Sequence, residues 1–202
     1  MLPFVQLSRN PLKLPSILNS EIVASSRLFS IESLDLRFSN GETRTFERLP
    51  KRGREAVIVC AVTENREVVL IREYMAGLHK YELGLPKGRV DLGESFAYAA
   101  NRELKEEAGF GARSIVHLRE LSLAPGQMGF SIHAMLATDL YPESLPGDEP
   151  EPLEVVLWPL DRIDELIFSH ELSEARSIAT LKIAEVALQG NHPEEPTLIA
   201  AG

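Results

Sequence analysis

The stretch GRVDLGESFAYAANRELKEEAGF, residues 88–110, constrains this chain more than any other. Its small and apolar residues recur every four positions, at Ala100, Leu104 and Ala108. Such spacing is typical of a helix that buries one stripe against a core. Ser95 suits the position that caps the start of a helix, and Gly109 suits the left-handed residue that ends one. The stretch therefore predicts a helix over residues 95–108.

Three carboxylates crowd one edge of this predicted helix, at Glu103, Glu106 and Glu107. Like charges four residues apart destabilise a helix by ~0.2–0.5 kcal/mol per pair, so something must offset the repulsion. Oxygen-preferring cations such as Mg²⁺ bind to carboxylates of this kind. Arg102 and Lys105 lie between the acids and could pair with them or reach a phosphate. Taken alone, the acids fit a solvated charged helix face equally well.

The spacing of the flanking residues separates these two interpretations. Gly88 is followed after five residues by Glu94, and after seven more by RELKEEAGF. This pattern resembles, at every position, the GX5EX7REUXEEXGU signature of the Nudix hydrolases, in which U is aliphatic or aromatic. The resemblance implies an α/β fold, an α/β/α sandwich with a mixed sheet, and a metal site on a loop–helix–loop. It also implies hydrolysis of a nucleoside diphosphate linked to another group.

The resemblance further implies a role for each residue of the signature. Glu103 and Glu107 are expected as the main ligands of Mg²⁺, or of Mn²⁺ in its place, with Glu106 as a third carboxylate. A backbone carbonyl at Lys87 or Gly88 is expected to complete the ligand set. Glu94 and Arg102 are expected to pair and hold the loop against the helix.

The catalytic base is expected outside the signature. The acidic, proline-rich segment 139–152 predicts a loop, and long loops in compact domains are often functional. Related ADP-ribose hydrolases carry an acid-acid-X-acid pattern on such a loop, which Asp148-Glu149-Pro150-Glu151 matches. The resemblance implies Glu149 as the base and Glu151 as an auxiliary metal ligand. A merely solvated acidic turn is the alternative, with Glu107 or Glu106 then acting as the base.

Stretches outside the signature resemble the bacterial hydrolases of ADP compounds within that family, over about residues 16–180. They include VASSRLFSIESLDLRFSNG, LIREY and LYPESLPGDEPEPL. The lead-in YELGLPKG is similar to the ELPAG-type lead-in of ADP-ribose pyrophosphatases, with Lys87 in place of a small residue. The resemblance implies that ADP-ribose, NADH and short diadenosine polyphosphates are hydrolysed to AMP by a homodimer. Sugar nucleotides or capped RNA are alternative substrates. A sensor that binds ADP-ribose without turnover is disfavoured, since such modules usually have damaged signature glutamates.

Candidate substrate-binding residues are suggested by their side-chain chemistry alone. The candidates are Arg27, Arg54 and Arg72 for phosphates, Phe29, Tyr74 and Tyr81 for adenine, and Glu55 and Glu82 for ribose hydroxyls. Ordinary packing explains each of them equally well. The five histidines, His79, His117, His133, His170 and His192, show no spacing typical of a zinc site.

Strand patterns and turns divide the chain. Asn40-Gly41 separates RLFSIESLDLRF from ETRTFERL, which is a strong hairpin signal. We therefore expect a loose leader over 1–18 and an N-terminal antiparallel β subdomain over 19–52, to which the resemblance assigns the contact between the two chains of the homodimer. The hydrolase domain is expected over 53–190, followed by a flexible tail over 191–202.

Composition narrows the class of partner. A net charge of −9 disfavours binding to nucleic acid, because the phosphates would be repelled. A divalent cation can still mediate contact with a small phosphate ligand. No run approaches the ~20 apolar residues of a membrane-spanning helix. Cys60 is the single cysteine and cannot form an internal disulfide, which favours a reducing compartment and predicts a cytoplasmic location.

Overall fold

The structure is a computed structural model that describes residues 12–51, 53, 55–190 and 198–200. Its strands are β1 (Ser16–Ser25), β2 (Ser30–Arg37), β3 (Thr43–Arg48), β4 (Ala56–Val62), β5 (Glu67–Met75), β6 (Lys80–Gly84), β7 (Lys87–Arg89), β8 (Phe110–Ser122), β9 (Ser131–Pro142), β10 (Glu154–Pro159) and β11 (Leu198–Ala200). Its helices are α1 (Phe96–Ala108), α2 (Ile163–Ile167), which follows a 3₁₀ turn over Leu160–Arg162, and α3 (Ala175–Leu188).

The first three strands form an antiparallel sheet in the order β1-β2-β3. The Asn40-Gly41 turn joins β2 to β3: Gly41 adopts a φ of +89°, and the Phe38 amide donates to the Glu42 carbonyl at 2.9 Å. The predicted hairpin is thus confirmed. The sheet begins at Ser16, three residues before the expected start, so the end of the expected leader is part of β1.

The second sheet has the order β10-β5-β4-β9-β8-β11, with β6 paired to β5 and β7 paired to β4. Strands β4 and β9 are parallel, with Val57 opposite His133, whereas the other pairings are antiparallel. The sheet is therefore mixed, as predicted.

Helices cover both faces of the mixed sheet. Side chains alternate along a strand, so Val57, Val59 and Ala61 of β4 share one face. These three residues pack in one core with the buried stripe of α1. On the other face, the Ser177 hydroxyl oxygen of α3 accepts a hydrogen bond from the Leu85 amide at 3.1 Å, and Leu181 of the same helix is fully buried. The predicted α/β/α sandwich is confirmed.

Two segments differ from their predicted structure. Strand β9 continues through Pro142, so the expected loop over 139–152 begins after that residue, and Asp139 takes a φ of +54° within the strand. In the expected flexible tail, Leu198–Ala200 instead pair with β8 opposite Val116–Ser114. Both differences have the same cause, because a neighbouring strand supplies backbone hydrogen bonds that local composition does not reveal.

The chain divides into two compact units. One contains β1–β3 together with Ala124–Phe130, and the other contains the mixed sheet and the helices. Among the described residues, no helix has both the length and the apolar character needed to cross a bilayer.

Candidate metal and active site

Helix α1 positions the acidic residues. The Ser95 side chain accepts a hydrogen bond from the Tyr98 amide at 3.2 Å and caps the first turn. Gly109 ends the helix in a left-handed conformation, with its N–H donating to the Leu104 carbonyl. The stripe of Ala100, Leu104 and Ala108 is buried in the core. The neighbouring edge of the helix, which carries Glu103 and Glu107, therefore lies against the backbone of Lys87 and Gly88.

Glu107 is 7% exposed. Its Oε2 accepts a hydrogen bond from the Lys87 amide at 2.9 Å. Burial raises the pKa of this carboxyl to about 8, and the nearby charges of Glu103 and Glu73 add to the effect, whereas Lys87 opposes it. At neutral pH this side chain therefore needs a proton or a cation beside it.

Glu103 is 9% exposed, and its carboxylate lies directly against the backbone of Gly88. A Cβ added at Gly88 would lie 2.1 Å from the Glu103 carboxyl carbon, so any larger residue there would force the Glu103 carboxylate to move. Burial raises the pKa of Glu103, and the charges of Glu106 and Asp148 raise it further, while Arg102 lowers it. Two buried carboxylates thus converge on the backbone of Lys87 and Gly88.

Arg102 ties the loop to the helix. Its Nε and Nη2 donate to the two oxygens of Glu94 at 2.9 and 3.1 Å, and Nη2 also donates to the Arg89 carbonyl at 2.8 Å. Its Nη1 donates to Glu103 and Glu106, at 2.8 Å each. Hydrogen bonds to Glu94 above all raise the pKa of Arg102. This one cation offsets part of the repulsion among the acids of α1.

The chemistry of this donor set fits a hard divalent cation. Carboxylate oxygens come from Glu103, Glu106 and Glu107, of which Glu107 accepts the Lys87 amide and Glu103 lies against the Gly88 backbone. Mg²⁺ prefers oxygen ligands of this kind. The pKa values of Glu103 and Glu107 are raised because the surrounding protein groups do not fully compensate the charge of the two carboxylates.

The segment after β9 docks along the second half of α1. The Leu145 amide donates to the Lys105 carbonyl at 3.2 Å, and the Glu143 amide donates to the Gly109 carbonyl at 3.1 Å. The Lys105 ammonium also lies 2.9 Å from the Glu143 carboxylate. These contacts hold the start of the segment that bears the acid-acid-X-acid pattern against α1.

Within that pattern, Asp148 lies close enough to Glu103 for its charge to raise the Glu103 pKa. Glu149 is half-buried and folds over Gly147, where an added Cβ would lie 2.5 Å from Glu149 Oε2 and 3.5 Å from the Glu106 carbonyl oxygen. The structure therefore brings this part of the loop beside α1. Glu151 lies farther along, where its carboxylate accepts a hydrogen bond from the Tyr81 hydroxyl.

Three of the candidate substrate residues form a separate group on β5 and β6. Arg72 donates to Glu154 and Glu171, at 2.9 Å each, and the Tyr74 and Tyr81 rings meet edge to face at 5.6 Å. Because side chains alternate along β5, these residues face away from Glu73, which instead pairs with the Lys87 ammonium beside Glu107.

The remaining candidates lie elsewhere. Glu82 is 2% exposed and binds Ser173 and Lys80, at 2.6 Å each, so its carboxylate is engaged inside the protein. Glu55 lies 3.4 Å from His133. Arg27 and Phe29 are exposed in the turn between β1 and β2, and Arg54 lies outside the described residues.

Sequence reasoning did not identify two features of this site. Glu73 acts as the counter-ion of Lys87, a pairing across β5 and β7 for which spacing offers no signal. A cavity of about 1080 Å³ also runs along the outer flank of α1, lined by Tyr98, Arg102, Lys105, Arg113 and Tyr141 among others. Among the described residues, neither Glu103 nor Glu107 lines this cavity, so the cavity lies apart from the two buried carboxylates.

Comparison with known proteins agrees with this geometry. Residues 15–48 match the model of the NudE-type Nudix hydrolase N-terminal domain, and residues 52–188 match that of the NUDIX domain. The chain is 49% identical to ADP compounds hydrolase NudE of Escherichia coli (strain K12) over 179 residues, which covers 89% of this chain and 96% of that protein. It is 27% identical to an ADP-ribose pyrophosphatase of Bacillus subtilis (strain 168), covering 84% and 94%.

A crystal structure of an ADP compounds hydrolase superimposes on this chain with a TM-score of 0.83 and 47% sequence identity. The match covers 91% of this chain and 100% of the crystallised one. The similarity thus extends over both sheets rather than over the signature alone.

Proposed function

This chain belongs to the Nudix hydrolase family, and from that premise we propose that it hydrolyses the pyrophosphate bond of ADP-linked compounds. The observation that carries the proposal is the pair of buried carboxylates, Glu103 and Glu107, held on the backbone of Gly88 and Lys87. Buried carboxylates with raised pKa values cluster at functional sites, which supports a site that receives a cation and a diphosphate.

The substrates we propose are ADP-ribose, NADH and short diadenosine polyphosphates, with AMP as one product. The names of the relatives, an ADP compounds hydrolase and an ADP-ribose pyrophosphatase, support this substrate class. The negative charge of the chain supports a small substrate, whose phosphates need a cation to be held near acidic side chains.

For the metal we propose Mg²⁺, with Mn²⁺ as a substitute. Glu103, Glu106 and Glu107 would hold it, together with a carbonyl at Lys87 or Gly88 and with Glu151 as an auxiliary ligand. When bound, such an ion neutralises the diphosphate and lowers the pKa of water. Arg102 and Glu94 would keep the acids oriented, and their bidentate pairing supports that role.

We propose Glu149 as the general base. Its carboxylate would take a proton from the attacking water as the water oxygen bonds to phosphorus. The bridging P–O bond then breaks, and its electron pair stays with the departing phosphate. The docking of the loop on α1 and the closeness of Asp148 to Glu103 support a base in this segment. A positioned base typically contributes about 10²–10⁴-fold to the rate.

We also propose that the N-terminal β subdomain mediates a homodimer. All ten residues of β1 are exposed, and apolar side chains lie among them, at Ile17, Leu18, Ile22 and Val23. Exposed apolar patches of this kind mark interaction surfaces. Light scattering should report a mass of twice 22.4 kDa, and a monomer at micromolar concentration would contradict this part of the proposal.

A cytoplasmic location is proposed on the chemistry of Cys60. This free thiol is fully buried, and burial raises its pKa to about 12, so it is an unreactive core side chain. A buried free thiol supports a reducing compartment such as the cytoplasm.

The test is a product-resolved panel of ADP-ribose, NADH, diadenosine polyphosphates and a sugar nucleotide, each incubated with Mg²⁺. AMP should form from the first three, and Glu149→Gln should lower kcat by about 10²–10⁴-fold. Glu151→Gln serves as the matched loop variant and should have the smaller effect. If Glu149→Gln retained wild-type kcat while Glu107→Gln did not, the base would lie elsewhere. The hydrolase assignment itself would still stand.

A further inference from the structure

A second group of metal-ligating side chains lies on the mixed sheet, outside the Nudix signature. Glu55 precedes β4, Glu120 lies on β8 and His133 lies on β9. One carboxylate oxygen of each glutamate and one ring nitrogen of the histidine all lie within 4.8 Å of one another. The parallel pairing of β4 with β9 and the antiparallel pairing of β8 with β9 bring these distant residues together.

A bulge in β8 creates the arrangement. The register shifts between His117, which lies opposite Met135, and Arg119, which lies opposite Ala134. In a regular strand, residues 117 and 120 would point to opposite faces, because side chains alternate. The extra residue puts His117 and Glu120 on the same face as His133. Bulges that re-aim a side chain in this way are frequent beside functional sites.

The His133 ring is held in place before any ligand arrives. It stacks on Phe96, with ring centroids 3.8 Å apart, and it is 9% exposed. Its Nδ1 lies 3.0 Å from Nε2 of His117, at hydrogen-bond distance. When Nδ1–H donates to His117, the lone pair of Nε2 points toward Glu55, whose Oε2 lies 3.4 Å away. Partners of this kind orient the histidine ligands of metal sites.

We propose that Glu55, Glu120 and His133 form a second cation site, which binds a transition-metal ion of the Zn²⁺ class. Bonds of ~2.0–2.1 Å in a tetrahedral arrangement place two ligand atoms about 3.3 Å apart. The observed separation of 3.4 Å between His133 Nε2 and Glu55 Oε2 matches that value. Three protein ligands leave a fourth position for water, and an imidazole suits zinc-like ions better than it suits Mg²⁺.

This site is distinct from the carboxylates of α1. Phe96, on which His133 stacks, begins that helix, and Glu103 follows seven residues later, which is roughly 10 Å along the helix axis. The ligand sets also differ, because the first consists of oxygen atoms and the second includes a ring nitrogen. The different ligand atoms therefore favour different metals at the two sites.

Binding at this site would join three segments of the chain. The carbonyl of Glu55 accepts a hydrogen bond from the Val90 amide at 2.8 Å, and Val90 belongs to the loop that carries Glu94. An ion on the Glu55 side chain would therefore tie β8 and β9 to the start of that loop. We expect the ion to raise Tm, since a ligand that binds only the folded state stabilises it.

The experiment uses Co²⁺ as a coloured probe of zinc sites, with the full-length Glu103→Gln/Glu107→Gln double variant, in which the first site is disabled. Visible absorption and equilibrium dialysis should show one bound Co²⁺ per chain, displaced by Zn²⁺ but not by excess Mg²⁺. Adding His133→Ala should abolish this binding, and His117→Phe should weaken it by ~10- to 100-fold.

His170→Ala is the matched control, because His170 is an exposed imidazole away from the group, and it should bind Co²⁺ like the background. Glu120→Gln tests the site without disturbing the packed ring, since Glu120 is exposed, and it should also weaken binding. The proposal is overturned if the double variant binds no Co²⁺, or if binding survives unchanged in both His133→Ala and Glu120→Gln.

Discussion

Two poorly exposed glutamates, Glu107 on α1 and Glu174 at the start of α3, have pKa values shifted in opposite directions. Glu174 accepts hydrogen bonds from the Arg176 and Ser177 amides at 3.1 and 2.9 Å, and from the Ser177 hydroxyl and Arg176 Nε at 2.9 and 2.6 Å. Burial opposes ionisation there, yet these bonds lower its pKa. At Glu107, burial prevails and the pKa rises to about 8.

The difference is the one expected between a structural carboxylate, Glu174, and a proposed metal ligand, Glu107. Glu174 caps a helix, and the protein supplies all the compensation that its charge needs. Glu107 accepts the Lys87 amide, but its neighbours Glu103 and Glu73 carry the same charge as itself. A cation bound beside Glu107 would compensate the charge that burial disfavours there.

The largest expected effect is on turnover. Glu107→Gln should lower kcat for ADP-ribose by roughly 10³-fold or more, because loss of a metal ligand removes several kcal/mol of transition-state stabilisation. Glu174→Gln is the same chemical change at the structural carboxylate and should leave kcat near wild type. Steady-state kinetics with Mg²⁺ compares them. If Glu107→Gln and Glu174→Gln lost similar amounts of kcat, Glu107 would have no role in turnover that Glu174 lacks.

Gly88→Ala should lower kcat by about 100-fold. The added Cβ would meet the Glu103 carboxylate at 2.1 Å, and displacing a catalytic group by about 1 Å can cost that much. Gly77→Ala is the matched control, since a Cβ there meets nothing within 4 Å and its backbone is unstrained. Retention of full activity by Gly88→Ala would mean that Glu103 can move without consequence.

Removal of divalent metal by a chelator should abolish hydrolysis and lower Tm, and Mg²⁺ should restore both. At a Mg²⁺ concentration 100 times Kd, the wild type should gain ~2.7 kcal/mol in free energy of unfolding. Glu107→Gln should gain much less from Mg²⁺, whereas Glu174→Gln should respond like the wild type. Calorimetry with and without Mg²⁺ measures these differences, and an equal gain in all three proteins would contradict the ligand role of Glu107.

The smallest effects are on pH-dependent stability without metal. The folded pKa of Glu107 lies above its ordinary value of 4.5, so its favourable contribution exists at low pH and is lost as pH rises toward about 8. Glu107→Gln should therefore raise Tm relative to wild type, increasingly between pH 5 and about 8. A constant difference across this range would contradict the raised pKa.

Glu174 should show the reverse dependence. Its pKa is lowered, so its stabilising contribution is present above the ordinary value and is lost as pH falls through the folded value. Glu174→Ala should cost about 0.5–2 kcal/mol at pH 7, as expected for an N-cap residue, and progressively less on acidification. Thermal unfolding in chelator between pH 3 and 7 measures this, and a cost that grows on acidification would contradict the assignment.

Local spacing predicted helix α1, one hairpin and one edge of the site, whereas the sandwich with its mixed sheet was implied by the resemblance to the Nudix hydrolases. The four-residue stripe, Ser95 and Gly109 define α1 to within a residue, because helix period and helix caps are local properties. The Asn-Gly turn likewise identified the β2–β3 hairpin. Strand β9 and the terminal strand β11 extend beyond what composition indicated, since strand ends depend on neighbours that are distant in sequence.

The sequence by itself determined that Glu103, Glu106 and Glu107 share one edge of a helix and that Glu94 precedes Arg102 at a fixed offset. Only the tertiary structure decided that Lys87 pairs with Glu73, that Asp148 approaches Glu103, and that a bulge turns His117 and Glu120 toward His133. The physical reason is the range of the interaction. Helix periodicity acts within a few residues, whereas sheet register and bulges arise from pairing between strands whose relative placement no local spacing records.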